Sequence, residues 1–448
     1  MSYLSLSDKD KKEMLVRTGV GSTDDLFCCI PDAVRLKRAL DLPAAHSELE
    51  LIRTIEAIGR KNAYSHHLSF LGGGAYEHFI PTVVDYLSSR GEFVSPYTPY
   101  QPEVSQGTLQ VIFEFQSLVC QLTGLDIANA SLYEGATATA EAVLMAQRVT
   151  SRNKVLLART LHPQYREVVR TYIKNLGLEA VEVPYGPDGR VDKDSLGRAL
   201  DEKTAAVVYQ SPNFFGVVED VQALSDAAHG QKALSVAIVA EAVSLGLLEA
   251  PGKLGADIVT GEGQSLGIPI SFGGPYLGFM ACRKEFLRQM PGRVTGQTVD
   301  REGRRGFVLT LSTREQHIRR ERATSNICTN QALCALRATI FMESLGKQGL
   351  RELAWQNAQK AAYAADRLAA VPGVKMKFPG PVFNEFVVEL AKPWPVVDAG
   401  LRAKGLIGGF GLGPDYPELK ESVLVCVTEL KTKDQIDRLT QALREVLS

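Results

Sequence analysis

Glu134-Gly135-Ala136-Thr137-Ala138-Thr139 opens a helical stretch with small side chains. Free N–H groups and the helix dipole at such a start can hold an anion, a phosphate among them. The same word also serves as a plain helix cap, and both readings stand. His162 follows the apolar run Lys154 to Ala158. Its ring can cover a flat ligand or simply pack. Tyr97 and Tyr100 lie in Ser95 to Glu103 (SPYTPYQPE), where Pro96, Pro99 and Pro102 exclude regular helix or a central strand. A stiff loop of this kind can present phenols at an interface or tuck them under a neighbouring segment. Gly72 to Gly74 allow backbone shapes closed to other residues and bring N–H groups close to a ligand, or else make a tight turn. His66, His67 and His78 lack metal-ligand spacing and read as surface or packing residues, with His78 the candidate for interface work. Arg301 to Arg322 interleaves its arginines with Glu302, Glu315 and Glu321. That mixture favours ion pairs between subunits over a direct substrate site.

These residues need a scaffold, and the sequence describes one. The chain has 448 residues, 45% hydrophobic and 23% charged, with a formal net charge of −1. Such values fit a globular chain of several domains and give no field for nucleic acid or an anionic membrane. Seven cysteines without a CxxC pair argue against a disulfide framework or zinc module and suit a reducing compartment. No apolar leader is visible at the start, so a cytoplasmic location is expected. Residues 1–95 read as a helical arm, with Ser7 and Asp10 spaced as a capping box. Residues 96–335 alternate helices with apolar strands near 154–158, 179–183, 205–209, 234–240, 256–260 and 276–281, which predicts a mostly parallel sheet of about seven strands. Residues 336–448 read as a connecting helix and a small C-terminal α/β domain.

That layout resembles fold-type I pyridoxal-phosphate enzymes. The resemblance implies a cofactor phosphate near Gly135 and Thr137, His162 on the ring face, an Asp at the end of the strand Leu234 to Ala240, and a Schiff-base Lys after the strand Ala256 to Thr260. Two of the four are missing. Ala240 stands at the aspartate position, and strand alternation turns the adjacent Glu241 to the other face. Ser265, in Gly261 to Pro269, stands at the lysine position, and no Lys lies in that stretch. An amine is required for Schiff-base formation, and Ser cannot supply it. Gly135, Thr137 and His162 are then vestigial.

Four long words carry a closer resemblance: Ser69–Pro81, Tyr97–Gln110, Gly261–Phe279 and Arg304–Leu333. Together they resemble the P-protein family of the glycine cleavage system, glycine dehydrogenase (decarboxylating), over essentially the whole chain. The length is similar to the first subunit of the two-subunit form. The resemblance implies that pyridoxal phosphate sits on a second subunit, in a heterotetramer with two of each. Glycine would be decarboxylated there and its aminomethyl group passed to the lipoyl arm of the H-protein. Tyr97, Tyr100 and His78 are the candidate contributors from this chain. The alternatives are an autonomous pyridoxal-phosphate enzyme using Lys253 or Lys284, and a purely structural or regulatory subunit.

Overall fold

The structure, a computed structural model, describes residues 5–94, 98–325, 327 and 330–448. Tyr97 therefore lies outside the described residues. The chain divides into two compact units, residues 1–63 and 64–448.

The first unit carries two helices, Asp8–Thr18 and Glu48–Gly59. Both start on capping boxes, Ser7 with Asp10 and Ser47 with Glu50, as Ser-x-x-acid spacing dictates. None of its described residues is buried. Leu49, Ile52, Ile55 and Ile58 form an apolar stripe at helical spacing that remains about half exposed.

The second unit begins with a short strand, β1 (Leu68–Ser69), and then builds a large sheet. Its strands are β2 (Ile127–Ala128), β3 (Lys154–Ala158), β4 (Glu179–Val183), β5 (Thr204–Gln210), β6 (Leu234–Val239), β7 (Ile258–Glu262) and β8 (Gly278–Cys282). The seven run in the order β2-β8-β7-β6-β5-β3-β4. The pairs from β7 to β4 are parallel, and β8 is antiparallel to both neighbours. The expected α/β fold with a mostly parallel sheet is thus what the chain adopts. Helices cover both faces, so β5 and β6 are buried at every residue and read as nearly continuous apolar runs. A hairpin follows, β9 (Val294–Val299) with β10 (Arg305–Thr310).

A long helix, Ala332–Ala369, leads to a second, smaller sheet within the same unit and breaks its helical geometry at Gly346. The small sheet is antiparallel: β11 (Val374–Met376), β12 (Glu385–Leu390), β14 (Phe410–Gly411) and β15 (Ser422–Cys426), ordered β11-β12-β15-β14. A separate strand, β13 (Leu406–Ile407), pairs in parallel with β1. Residues 68 and 69 are therefore stitched to the C-terminal part of the unit, far away in sequence. An aromatic cluster of Phe214, Phe215, Phe378 and Tyr416 joins the large sheet to the small one.

Candidate functional site

In an open α/β sheet, ligands bind outside the carboxyl ends of the strands where the order reverses. Here β4 lies on one side of β3 and β5 on the other, so the crevice opens between β3 and β5. Four landmarks follow the carboxyl ends of adjacent parallel strands. They are His162 after β3, Phe214 after β5, Ala240 and Glu241 after β6, and Gln264 and Ser265 after β7.

The helix Gly135–Thr150 starts beside them, but its first turn is already occupied. Glu134 turns its carboxylate back and accepts from the Ala136 and Thr137 N–H groups. Glu262, the last residue of β7, accepts from Gly135 N–H at 3.0 Å. The other oxygen of Glu262 accepts from the N–H groups of Gln264 and Leu277, both at 2.9 Å. Burial, with Glu134 nearby adding to it, pushes the Glu262 carboxyl up to about 8. Gly135 is obligatory, because a Cβ there would lie 2.2 Å from the Tyr165 hydroxyl.

His162 is buried and held on every side. Its ring stacks on Tyr165 and meets Phe214 edge-on, both with centroids 4.7 Å away. Nδ1 accepts from Gln164 N–H, which leaves the proton on Nε2, and Nε2 donates to the Gly73 carbonyl at 2.8 Å. Burial lowers the pKa of this imidazole to about 4, so it is neutral.

Gly73 belongs to an extended segment that runs across the landmarks. Residues 76 and 78 point inward and 77 and 79 outward, the alternation of a strand. The side-chain amide of Gln264 pairs with both backbone groups of Tyr76, accepting at 2.8 Å and donating at 2.9 Å. The Tyr76 hydroxyl donates to Glu385, whose other oxygen accepts from Gly73 N–H at 2.7 Å. His78 lies between two carboxylates, with Nε2 3.0 Å from Glu241 and Nδ1 2.8 Å from Glu429. Burial alone would lower its pKa, but the two anions more than reverse this and push it up to about 10. The imidazolium thus bridges the end of β6 to the segment that follows β15. Asn384 donates to Glu241, and Asn357 and Phe79 N–H donate to Glu429.

Glu241 reaches this network because β6 ends at Val239. Beyond it the chain turns, and Glu241 caps the short helix Ala242–Gly246, so strand alternation no longer governs where it points. Ser265 is buried, and its hydroxyl has no hydrogen-bond partner among the described residues. Ala240 is also buried.

Tyr100 belongs to a second cluster. Its hydroxyl accepts from Arg293 at 3.0 Å, the guanidinium lies over its ring, and His317 meets the ring edge-on. Arg293 also faces Glu315 at 3.5 Å. The Pro-stiffened loop and the Arg-rich stretch therefore meet, which the sequence did not reveal. Within that stretch Arg314 is buried and donates to the carbonyls of Met290, Gly292 and Leu311. Arg301, Arg319, Arg320 and Arg322 are exposed. Lys253 pairs with Glu249 at 3.0 Å, and Lys284 starts a short helix after β8. Among the described residues no His, Cys, Asp and Glu cluster could hold a metal ion, and no helix is long and apolar enough to cross a membrane.

A family model for the glycine cleavage system P-protein matches residues 1–443. The chain belongs to the P-protein family. The P-protein likeness extends to whole relatives. The chain is 51% identical to the probable glycine dehydrogenase (decarboxylating) subunit 1 of Desulfitobacterium hafniense, over all of both chains. It superposes on the crystal structure of an inhibitor-bound glycine decarboxylase (P-protein) with a TM-score of 0.92 at 44% identity, covering all of both. A NifS-like protein shares the fold alone, with a TM-score of 0.64 at 14% identity over 85% of this chain and 99% of its own.

For this P-protein family member the residues present do not fit pyridoxal phosphate. The helix start that would take the phosphate is already occupied, since Glu134 and Glu262 accept from its Gly135, Ala136 and Thr137 N–H groups. No amine stands at Ser265 and no carboxyl at Ala240. The face of His162 is taken by Tyr165, and its Nε2 by Gly73.

Proposed function

We propose that this chain is the subunit of glycine dehydrogenase (decarboxylating) that does not anchor the cofactor, and that it works with a second subunit that does. The observation that supports it is full-length likeness to a glycine decarboxylase, together with the lack of a Lys from Gly261 to Pro269. On this reading the second subunit holds pyridoxal phosphate, whose ring supplies an electron sink for decarboxylation. The aminomethyl group then passes to the lipoyl arm of the H-protein. The complex holds two of each subunit in the cytoplasm. Tyr97, Tyr100 and His78 are this chain's contributions at the interface. Tyr100 can do so directly, since half of it is exposed. His78 is buried, so it acts by holding Phe79, which is exposed beside it.

The test is to co-purify the chain with its partner and assay glycine–bicarbonate exchange, with each subunit alone as control. Exchange by the pair and none by this chain is expected. Exchange by this chain alone would overturn the reading.

A further inference from the structure

Residues 72–78 touch the landmarks of a cofactor site one after another. Gly73 accepts from His162 after β3, and a Cβ on Gly74 would lie 2.7 Å from the same ring. Phe214 after β5 lies 3.9 Å from a Cβ built on Gly73. Tyr76 is paired through its backbone to Gln264 after β7, and His78 to Glu241 after β6. Glu134 and Glu262 complete the picture at the helix start. Each polar contact satisfies a buried group that an open pocket would leave to water or to a ligand.

We propose that this chain supplies the occupant of its own cofactor pocket: the Glu134 and Glu262 carboxylates stand where a phosphate ester would bind, and the Gly72–His78 segment fills the space of the ring. The missing Lys is then the smaller part of the defect. Restoring it alone does not restore binding, because the donors are taken and the segment is fastened at three strand ends. Filling of this kind has a use beyond exclusion. It replaces a ligand with covalently tethered groups, so the carboxyl edge of the sheet stays ordered with no dependence on ligand concentration. The occupancy holds whatever reaction the assembled complex carries out.

The test uses the full-length chain without its partner, so failure here is distinct from failure of the glycine reaction. Pyridoxal phosphate is added to the wild-type chain and to the Ser265→Lys and Ala240→Asp double variant. Folding is checked by circular dichroism. The folded double variant is expected to show no visible Schiff-base band and no borohydride-fixed pyridoxyl group on the introduced amine. A stoichiometric label on that amine overturns the proposal. Thermal shift with inorganic phosphate is the second measurement, and it holds even where the double variant fails to fold. No upward shift is expected for the wild-type chain, and an upward shift is expected for the Glu134→Ser and Glu262→Ser double variant. A phosphate shift in the wild-type chain as large as in that variant also overturns it.

Discussion

His162 Nε2 donates to the Gly73 carbonyl at 2.8 Å, across 89 positions of sequence. One ring nitrogen thereby fixes the glycine triplet over the crevice between β3 and β5, and the other caps the helix that follows β3. A residue read from sequence as a cover for a flat ligand instead covers backbone of its own chain.

Ser265→Ala should leave stability unchanged or raise it by about 1 kcal/mol. The Ser265 hydroxyl is buried without a partner, so its removal ends a desolvation penalty and costs no bond. Chemical denaturation measures the difference. A loss above about 1 kcal/mol would mean that the hydroxyl has a partner in solution.

His78→Ala should cost about 3–5 kcal/mol, the usual result of removing one member of a buried charge cluster. Glu241 and Glu429 would then be left without their shared cation. The wild-type protein should also lose stability on going alkaline. The His78 pKa is raised from about 6.5 unfolded to about 10, so its stabilisation is complete below about pH 6.5 and lost as the pH rises to about 10. Glu385 and Glu262 are raised, to about 7 and about 8, and act in the same direction from about pH 4.3 upward. Midpoints of thermal unfolding across this range check the sign. A midpoint that climbs as the pH rises from His78's unfolded value to its folded one would contradict the charged imidazole, and His78→Gln should flatten the upper part of the curve.

Gly72→Ala should destabilise by about 1–3 kcal/mol through overpacking. The new methyl would lie 2.2 Å from a Glu385 oxygen and 2.6 Å from the Cys426 Cβ. Because Glu385 also holds Gly73 and Tyr76, the damage should spread along the segment. Faster amide exchange at residues 73–78 is the expected sign, and unchanged protection there would count against it.

Tyr100→Ala should lower glycine–bicarbonate exchange of the assembled pair about ten-fold, close to 1.4 kcal/mol. The two subunits should still co-elute. Tyr100→Phe keeps the ring under Arg293 and loses only the hydroxyl contact, so it should fall between the two. Equal activity in all three would leave Tyr100 a structural residue.

Much of this fold was legible because it is local. Ser7 with Asp10 is a cap written within a single turn, and β5 and β6 are apolar runs long enough to need two covered faces. The lack of a Lys from Gly261 to Pro269 could be noticed because a Schiff base needs an amine. The filling of the pocket was not legible. The partners of Tyr76 and His78 lie 163 to 351 positions away, and no local pattern encodes them. Glu262 sits in a word, GEGQS, that reads as a Gly-rich turn, yet it belongs to β7 and turns its carboxylate toward a helix 127 positions earlier.

The parallel pairing of β1 with β13 has a consequence for biogenesis. The pairing of Leu68 with Leu406 and the bond from Gly73 N–H to Glu385 cannot form until those later residues are made. At about 5–20 residues per second of synthesis, the 312 positions between Gly73 and Glu385 take roughly 15–60 s to make. Within that interval the parallel strands of the large sheet can assemble, and His162, Glu241 and Gln264 are already present to take Gly73, His78 and Tyr76. The Gly72–His78 strap can thus be seated from the side of the large sheet first, and Glu385 and Glu429, made later, fasten it from the other side.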